Sequence, residues 1–233
     1  MTDLFGKALL DYQYDNYTDD LYTETNISEE DILPIPYLFR SYSEMPPLEQ
    51  LALSNVSGKV LDVGCGAGSI SLHLQESGLD VMAIDTSGGA IEVCNLRGLK
   101  NTKEIDLLQL KDQKFDTILL LMNGIGIAKK KSNLLSFLKN AGEKLNKGGQ
   151  IICDSSDVKY LYEDEDGSYW MDLNAEYYGN FKFQMHYKKI SGPEFPWLYV
   201  DYDTLHDIAS QAGFKCQRVF DLDAHFLAQL TKI

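Results

Sequence analysis

The sequence has few basic residues for its length. Its 233 residues include 35 acids but only 21 lysines and arginines, which gives a formal net charge of -14. Binding to a nucleic-acid backbone is driven by clustered Lys and Arg side chains, so this balance argues against DNA or RNA as a partner. The surplus of acids is equally typical of an ordinary solvated surface.

Long apolar runs and regular cysteine patterns are also absent. No apolar run approaches the roughly 20 residues that span a bilayer, so we expect no membrane association. The first residues carry no basic region followed by an apolar stretch, so we expect no secretory signal and a cytoplasmic location. The four cysteines lack CxxC or Cys/His ligand spacing, which predicts reduced thiols and no metal site: Cys65, Cys94, Cys153 and Cys216.

A glycine-rich stretch lies between a short apolar run and an amphipathic segment. Val60–Val63 has the pattern of a buried strand, and Gly64, Gly66 and Gly68 follow with Gly-x-Gly-x-Gly spacing. A strand, a tight loop and a helix N-terminus present free backbone N–H groups and the positive end of a helix dipole. Glycine permits positive φ and places no Cβ between backbone and ligand. The stretch therefore predicts a site for a nucleotide-like cofactor.

The spacing discriminates between cofactors. A dinucleotide fingerprint needs glycine at position 69, where Ser69 stands, and a Walker loop needs a lysine that does not follow Gly68. Asp62, two residues before the first glycine, would repel a pyrophosphate but attract a ligand with an ammonium and a sulfonium. These features favour S-adenosylmethionine over NAD or ATP, and an NAD-dependent reductase is the weakest reading.

From residue 59 the pattern alternates between strands and helices, which indicates a parallel sheet with helical crossovers. We predict a helix N-capped by Asp203 near the end of the chain. The predicted strands are 59–63, 80–84, 102–105, 115–121, 150–154, 214–220 and 225–231, and the other predicted helices are 48–53, 68–77, 87–98 and 134–145.

Two regions depart from this alternation. Residues 1–31 are rich in acids and tyrosine, and they either form a solvated tail or order against the active site. Residues 169–187 alternate with period two around Gly179 and Asn180, which predicts an antiparallel hairpin, and 199–200 add a strand.

The motif Val60–Gly68 resembles the first motif of class I S-adenosylmethionine-dependent methyltransferases. The likeness covers 55–154 strongly and 203–233 moderately. Residues 145–149 resemble the Leu-Lys-Pro-Gly-Gly turn of that family, with Lys147 in the place of proline. That departure affects a turn and not the chemistry.

The resemblance implies an α/β fold: a Rossmann-like, seven-stranded, mostly parallel sheet with helices on both faces, plus an antiparallel β insertion and an N-terminal lid segment. Residues 1–54 are expected to form the lid or substrate segment. Residues 55–233 are expected to form the S-adenosylmethionine-binding domain, with the insertion at about 155–200.

The resemblance also assigns roles to residues that follow the predicted strands. Asp85, with Thr86 beside it, resembles the acid that binds both ribose hydroxyls. Asp106 and Leu107 resemble the pair that meets adenine. Asn123 follows the fourth strand, where ligands meet the carboxyl ends of such sheets. The expected cofactor-binding set is Asp62, Gly64, Cys65, Gly66, Gly68, Asp85, Thr86, Asp106, Leu107, Asn123 and Arg40.

Several of these assignments have structural alternatives. Asp62 either contacts the methionine ammonium or supports the glycine loop. Asp85 and Asp106 could be turn or loop acids. Arg40 either pairs with the methionyl carboxylate or forms a surface salt bridge.

Methyl transfer from a sulfonium is an in-line displacement that needs positioning, desolvation and, in some enzymes, a base. The sequence therefore identifies no catalytic residue. Tyr12, Tyr14, Tyr17 and His186 are candidates for acceptor binding or proton transfer, with packing or surface roles as the alternative.

The acceptor is constrained mainly by an absence. Family members that methylate exocyclic amines of bases carry Asn/Asp-Pro-Pro-Tyr/Phe after the fourth strand, whereas residues 121–124 contain no proline. We expect an N-, O- or C-methyltransferase of small molecules. A non-catalytic S-adenosylmethionine-binding module and a protein methyltransferase are the alternatives, and the oligomeric state is not predicted.

Overall fold

The computed structural model describes residues 3–27, 31–164, 168 and 176–233. The helices of these residues, in chain order, are α1 (Leu4–Gln13), α2 (Ile35–Leu38), α3 (Pro47–Ser54), α4 (Ser69–Glu76), α5 (Gly88–Leu96), α6 (Lys131–Glu143) and α7 (Tyr202–Gln211). The strands are β1 (Leu21–Thr25), β2 (Asp31–Leu33), β3 (Val60–Val63), β4 (Val81–Asp85), β5 (Thr102–Glu104), β6 (Phe115–Leu120), β7 (Leu145–Ser156), β8 (Asn180–Tyr187), β9 (Ile190–Ser191), β10 (Phe195–Leu198), β11 (Phe214–Leu222) and β12 (His225–Lys232). In the described part of the chain, no helix combines the length and the apolar character needed to cross a bilayer.

The larger sheet has seven strands in the order β11-β12-β7-β6-β3-β4-β5. Strands β3 to β7 pair in parallel, and β12 runs antiparallel to both β7 and β11. The predicted seven-stranded, mostly parallel sheet is therefore confirmed. Because parallel strands all point the same way, the segments that follow β3 to β7 meet at one edge.

Helices cover both faces of this sheet. In β6, Ile118 and Leu120 pack in the cluster that contains α6 and α7, whereas Leu119 packs in the cluster that contains α3 and α4. Near-continuous apolar strands are the signature of a sheet buried on both faces. Each fully buried aliphatic side chain stabilises the fold by about 1.5–3 kcal/mol relative to an exposed one.

The smaller sheet is antiparallel, in the order β10-β8-β1-β2 with β9 on β8. It joins strands of the N-terminal segment to strands of the predicted insertion. Of the two alternatives for residues 1–31, the ordered one holds for the described residues. Helix α1 begins where Asp3 accepts a hydrogen bond from the Gly6 amide (2.8 Å), and it buries Ala8 and Leu9 in a cluster that includes Ala90 of α5.

Some sequence predictions in this region are wrong. The described partners of β8 are β1, β9 and β10, and Asn180 begins the strand instead of lying in a hairpin turn. The other predicted arm falls largely on 169–175, outside the described residues. The added strand is β10 and not 199–200. Period two indicates a strand but does not identify its partner.

Two element boundaries also need correction. The N-cap of α7 is Asp201, whose side chain accepts from the Thr204 amide, and not Asp203. Strand β7 begins at Leu145, so the turn at 147–149 lies within it. The side chains of Asp201 and Asp203 could both cap a helix, and the burial of Leu205 decides which of the two stands at the N-cap.

Candidate active site

The glycine-rich loop follows β3 at the edge where the parallel strands end. Gly64, Gly66 and Gly68 all have positive φ, at 76°, 53° and 82°. A Cβ at Gly68 would lie 2.8 Å from Leu99 Cδ1 and 2.9 Å from Cys94 Sγ, so this position combines strain with crowding. The spacing therefore creates a narrow backbone cradle that opens into α4.

Long-range contacts hold this cradle in place. The amides of Gly64 and Cys65 both donate to the Ile84 carbonyl oxygen, at 2.8 and 3.1 Å. Arg97, at the end of α5, donates through Nη1 to the Ala67 carbonyl oxygen at 2.6 Å and to Ser69 Oγ at 3.2 Å. No sequence pattern indicates this role of Arg97, because its partners lie 28–30 residues earlier in the chain.

Asp85, at the end of β4, lies directly beside the loop. Its Oδ2 accepts from the Gly66 amide at 3.0 Å, and its Oδ1 accepts from the Ser87 amide at 2.9 Å. Burial raises the pKa of this carboxyl, and the two amides oppose that shift. Thr86 beside it is exposed. The structure thus brings together the glycine loop and Asp85, as the sequence predicts.

Asp62 lies beneath the loop and is 3% exposed. Its Oδ2 accepts from Ser71 Oγ of α4 at 2.6 Å. Burial raises the pKa of Asp62 to about 6, with the charge of Asp85 adding to the shift and the Ser71 hydroxyl opposing it. The observed partner is a side chain of the protein, which corresponds to the loop-supporting alternative.

The predicted adenine pair follows β5. Asp106 accepts from the Leu108 amide through Oδ1 at 2.8 Å and caps a 3₁₀ turn. Leu107 is 1% exposed and its side chain packs in the core, so only its backbone can meet a ligand. The exposed side of this turn faces away from that core.

Cys65 and Cys94 are free thiols in contact, with their Sγ atoms 3.7 Å apart. Burial and the neighbouring thiol raise the pKa of Cys65. The Cys65 thiol is therefore protonated at neutral pH, and both side chains act as packing groups against the loop.

Asn123 follows β6 with a left-handed backbone (φ 56°). Its Nδ2 donates to the Leu198 carbonyl oxygen at 3.3 Å, and its Oδ1 accepts from Ser155 Oγ at 2.9 Å. Its amide donates to Asp154 Oδ2 at 2.9 Å. The side chain thus ties the ends of β6 and β7 to the smaller sheet.

Asp154 near the end of β7 is a functional candidate that the sequence analysis passed over. Burial raises the pKa of this carboxyl to about 7, the charge of Glu49 adds to the shift, and the Asn123 amide opposes it. Its Oδ1 is inaccessible to solvent and accepts no hydrogen bond from any described residue. An acid that ends a strand was the signal that identified Asp85, and the same signal is present here.

Arg40 and Glu49 form an ion pair beside these residues. Arg40 is 6% exposed and Glu49 4%, so the pair is buried and is not a surface salt bridge. Nη2 of Arg40 lies 2.6 Å from both carboxylate oxygens, and Nη1 donates to the Tyr37 carbonyl oxygen at 2.7 Å. A ligand carboxylate would have to compete with Glu49 for this guanidinium.

Comparison with known proteins identifies what this geometry belongs to. A methyltransferase domain family matches the chain over residues 37–219. The crystal structure of an S-adenosylmethionine-dependent methyltransferase from Bacteroides fragilis, in complex with S-adenosyl-L-homocysteine, is 40% identical with a TM-score of 0.92, over 99% of this chain and 95% of that one. The chain belongs to the S-adenosylmethionine-dependent methyltransferase family. S-adenosylmethionine is the methyl donor of this family.

Two curated relatives match a shorter part of the methyltransferase. The cypemycin N-terminal methyltransferase of a Streptomyces species is 29% identical over 102 residues, 42% of each chain. The ubiquinone biosynthesis O-methyltransferase of Pelagibacter ubique is 35% identical over 97 residues, 39% of each chain. The methyltransferase therefore aligns with less than half the length of these two relatives.

Residues of α1 and of the smaller sheet pack against the segments that follow β3 and β6. Over the glycine loop, Phe5 Cζ lies 3.6 Å from the position that a Cβ of Gly66 would take. Further along, Trp197 of β10 lies against Gly126, whose Cβ would come within 2.1 Å of the indole Nε1. This methyltransferase therefore has cover above both the glycine loop and the segment that follows Asn123.

The four predicted acceptor residues are not gathered with Asp154. Tyr12 packs edge-on against Tyr17 and tilted against Phe39. Tyr14 is 53% exposed and its hydroxyl donates to Glu92. His186 lies in β8, where its Nδ1 is 2.9 Å from Ser191 Oγ and its Nε2 is 3.6 Å from a carboxylate oxygen of Glu24.

Proposed function

We propose that this methyltransferase transfers the methyl group of S-adenosylmethionine to a small-molecule acceptor. The observation that carries the proposal is the cover of the site by α1 and the smaller sheet, with Phe5 over Gly66 and Trp197 against Gly126. A covered site of this kind suits an acceptor that can be enclosed and separated from water. The low content of Lys and Arg gives no support to a nucleic-acid acceptor.

The cofactor is proposed to lie across the carboxyl ends of β3, β4 and β5. The open backbone at Gly64–Gly68 and the half-buried carboxylate of Asp85 fit a ligand with a ribose, because a carboxylate can accept from two hydroxyls. Asp106 is proposed to accept from the adenine amino group, next to the Leu107 backbone. When bound, S-adenosylmethionine supplies an electrophilic methyl group on a sulfonium.

The residues of the chain contribute position, exclusion of water and charge. Cys65 and Thr86 line the loop and the ribose end, and Asp62 holds the loop through Ser71. Arg40 supports the methionine end through Glu49 instead of directly. Residues 1–54, together with the insertion at about 155–200, are proposed to act as a lid over the domain formed by 55–233.

Ligand-dependent stability and product release test the proposal. S-adenosylmethionine at 100 times its Kd should raise the free energy of unfolding by about 2.7 kcal/mol, whereas NAD should not. Release of S-adenosylhomocysteine should then require a small acceptor. Stabilisation without turnover on any small acceptor would indicate a non-catalytic binding module and contradict the proposal.

A second candidate is methylation of a peptide amine. It is favoured by the match to the cypemycin N-terminal methyltransferase, whose name states a peptide terminus as its target. Turnover of short peptides with a free N-terminus, lost when the terminus is acetylated, would support this candidate. We place it second because that match covers 42% of the chain.

A further inference from the structure

Asp154 is the one described carboxylate whose buried oxygen accepts no hydrogen bond. Its Oδ2 is held by the Asn123 amide at 2.9 Å, so the orientation of the carboxyl is fixed, while Oδ1 is left without a donor among the described residues. An unpaired buried carboxylate oxygen is costly, and native proteins supply a donor for nearly all such groups. The missing donor is therefore expected on a ligand.

The charges around Asp154 restrict that ligand. The charge of Glu49 of α3 acts on Asp154, and the Arg40 guanidinium is already bidentate on Glu49. Within the described part of the chain, Asp154 forms no salt bridge. Asp154 thus has no cationic side chain of its own, so its carboxylate attracts a cationic ligand and disfavours an acceptor that carries a carboxylate or phosphate.

Two tyrosines lie near enough to Asp154 to be affected by its charge. Tyr37 of α2 and Tyr199 after β10 both lie within electrostatic range of Asp154, whose charge contributes to the raised pKa of each phenol. The Tyr199 ring is tilted against Phe181 with centroids 5.2 Å apart. Aromatic faces beside a carboxylate are the surroundings in which proteins bind ammonium groups.

We propose that Asp154 is the acceptor-binding carboxylate of this methyltransferase, and that the acceptor is a small molecule with a protonated amine from which Asp154 removes a proton. The inference rests on the proposed function, which it narrows from small molecules to amines. The placement of Asp154 near the end of β7, next to Asn123, positions it on the other side of the glycine loop from Asp85.

The proposed reaction consists of a proton transfer followed by a methyl transfer. An ammonium has no lone pair, so one N–H proton first moves to the Asp154 carboxylate and leaves a neutral amine. The nitrogen lone pair then forms the new N–C bond while the bond between methyl carbon and sulfur breaks, and its electron pair stays on sulfur. The products are an N-methylammonium and S-adenosylhomocysteine, and Asp154 later releases its proton to water.

The test compares acceptors and variants in the full-length protein. A panel of small primary and secondary amines is assayed for S-adenosylhomocysteine release, each beside the hydroxyl analogue of the same frame. With the best amine, Asp154→Asn should lower kcat/KM by about 100-fold or more, the range of general-base catalysis. Wild-type kcat/KM should rise with pH through an ionisation near 7, and the variant should lose that ionisation.

The matched control is Asp157→Asn, three residues further along. Asp157 caps the turn that follows β7 and accepts from the Tyr178 hydroxyl at 2.8 Å, so its variant should keep wild-type kinetics. Stabilisation by S-adenosylmethionine should be unchanged in both variants, which separates loss of chemistry from loss of folding.

Each outcome decides between the two proposals. Turnover of hydroxyl analogues without turnover of amines would overturn the amine inference and leave the small-molecule proposal standing. Turnover of amines by Asp154→Asn at close to the wild-type rate would overturn the role of Asp154. No turnover of either class, with S-adenosylmethionine bound, would contradict the proposed function itself.

Discussion

Asp85 and Asp154 stand at comparable places in the sheet, near the carboxyl ends of β4 and β7, and burial raises the pKa of both. The Asp85 carboxylate accepts from two backbone amides, one at each oxygen. Asp154 accepts from the Asn123 amide at Oδ2 and from no described residue at Oδ1. Both carboxylate oxygens of Asp85 thus accept hydrogen bonds from the protein, whereas one oxygen of Asp154 accepts none from the described residues.

The two sides of the site also differ in how they are assembled. The side around Asp85 comes from one stretch of chain, residues 60–107, held by contacts between neighbouring β-α units. The side around Asp154 combines residues from 37–49, 122–126 and 197–200. A cofactor shared by a whole family suits the local assembly, whereas an acceptor that differs between members suits the one made from distant segments.

The largest expected effect tests whether Arg40 stabilises the fold by pairing with Glu49 or binds the cofactor. Arg40→Met should lower the free energy of unfolding by about 3–5 kcal/mol, because Glu49 would be left buried and unpaired. Arg40→Met combined with Glu49→Leu should recover most of that loss. Urea unfolding measures both. A stable Arg40→Met protein that no longer binds S-adenosylmethionine would instead make Arg40 a cofactor ligand.

The next effect tests the proposed role of Asp85 in binding the cofactor ribose. Asp85→Ala should weaken S-adenosylmethionine binding by about 100-fold, the equivalent of about 2.7 kcal/mol, because two hydroxyl partners are lost. Titration calorimetry gives the Kd. The control is Asp80→Ala, an exposed acid just before the amino end of the same strand, which should bind normally. An unchanged Kd for Asp85→Ala would reduce Asp85 to a turn residue that orients Ser87.

Two glycine substitutions test the packing of α1 near the proposed cofactor and the packing of β10 near the proposed acceptor. A Cβ on Gly6 would lie 2.7 Å from Gly89 Cα, and one on Gly126 would lie 2.1 Å from Trp197 Nε1. Each alanine variant should lose about 1–3 kcal/mol of stability through overpacking. Gly6→Ala should mainly raise the Kd for S-adenosylmethionine, and Gly126→Ala should mainly raise KM for the acceptor. Equal effects of both variants on both ligands would show that α1 and the smaller sheet move as one body.

The smallest effect concerns the pH dependence of stability. The Asp154 pKa is raised from 3.8 to about 7 in the folded state, so between these values the folded protein holds a proton that the unfolded chain has released. Wild-type stability contributed by Asp154 is therefore lost as pH rises through this window. Asp154→Asn does not titrate, so its free energy of unfolding should rise relative to that of wild type by about 1.4 kcal/mol for each pH unit between pH 5 and 7 and then level off by pH 8. Thermal unfolding at the two pH values measures this, and parallel behaviour of the two proteins would contradict a buried, ionisable Asp154.

Much of the fold followed from local pattern. The order of strands and helices in residues 59–154 and 203–233 was predicted because apolar runs and glycines act within a few residues of where they stand. The partners of β8 were not, because period-two alternation carries no information about which distant strand supplies the hydrogen bonds. The ordering of residues 3–27 was left open for the same reason: Asp3 Oδ2 accepts a hydrogen bond from Ser87 Oγ, 84 residues away.

The candidate site divides in the same way. The positive φ values at Gly64, Gly66 and Gly68, and the contact between this loop and Asp85, are fixed by residues close in sequence, and the amino-acid sequence by itself was sufficient to predict them. The pairing of Arg40 with Glu49 and the unfilled oxygen of Asp154 depend on segments that meet only after folding. The tertiary structure decides these, because burial and the identity of a charged partner are properties of the neighbourhood in space and not of the residue in the chain.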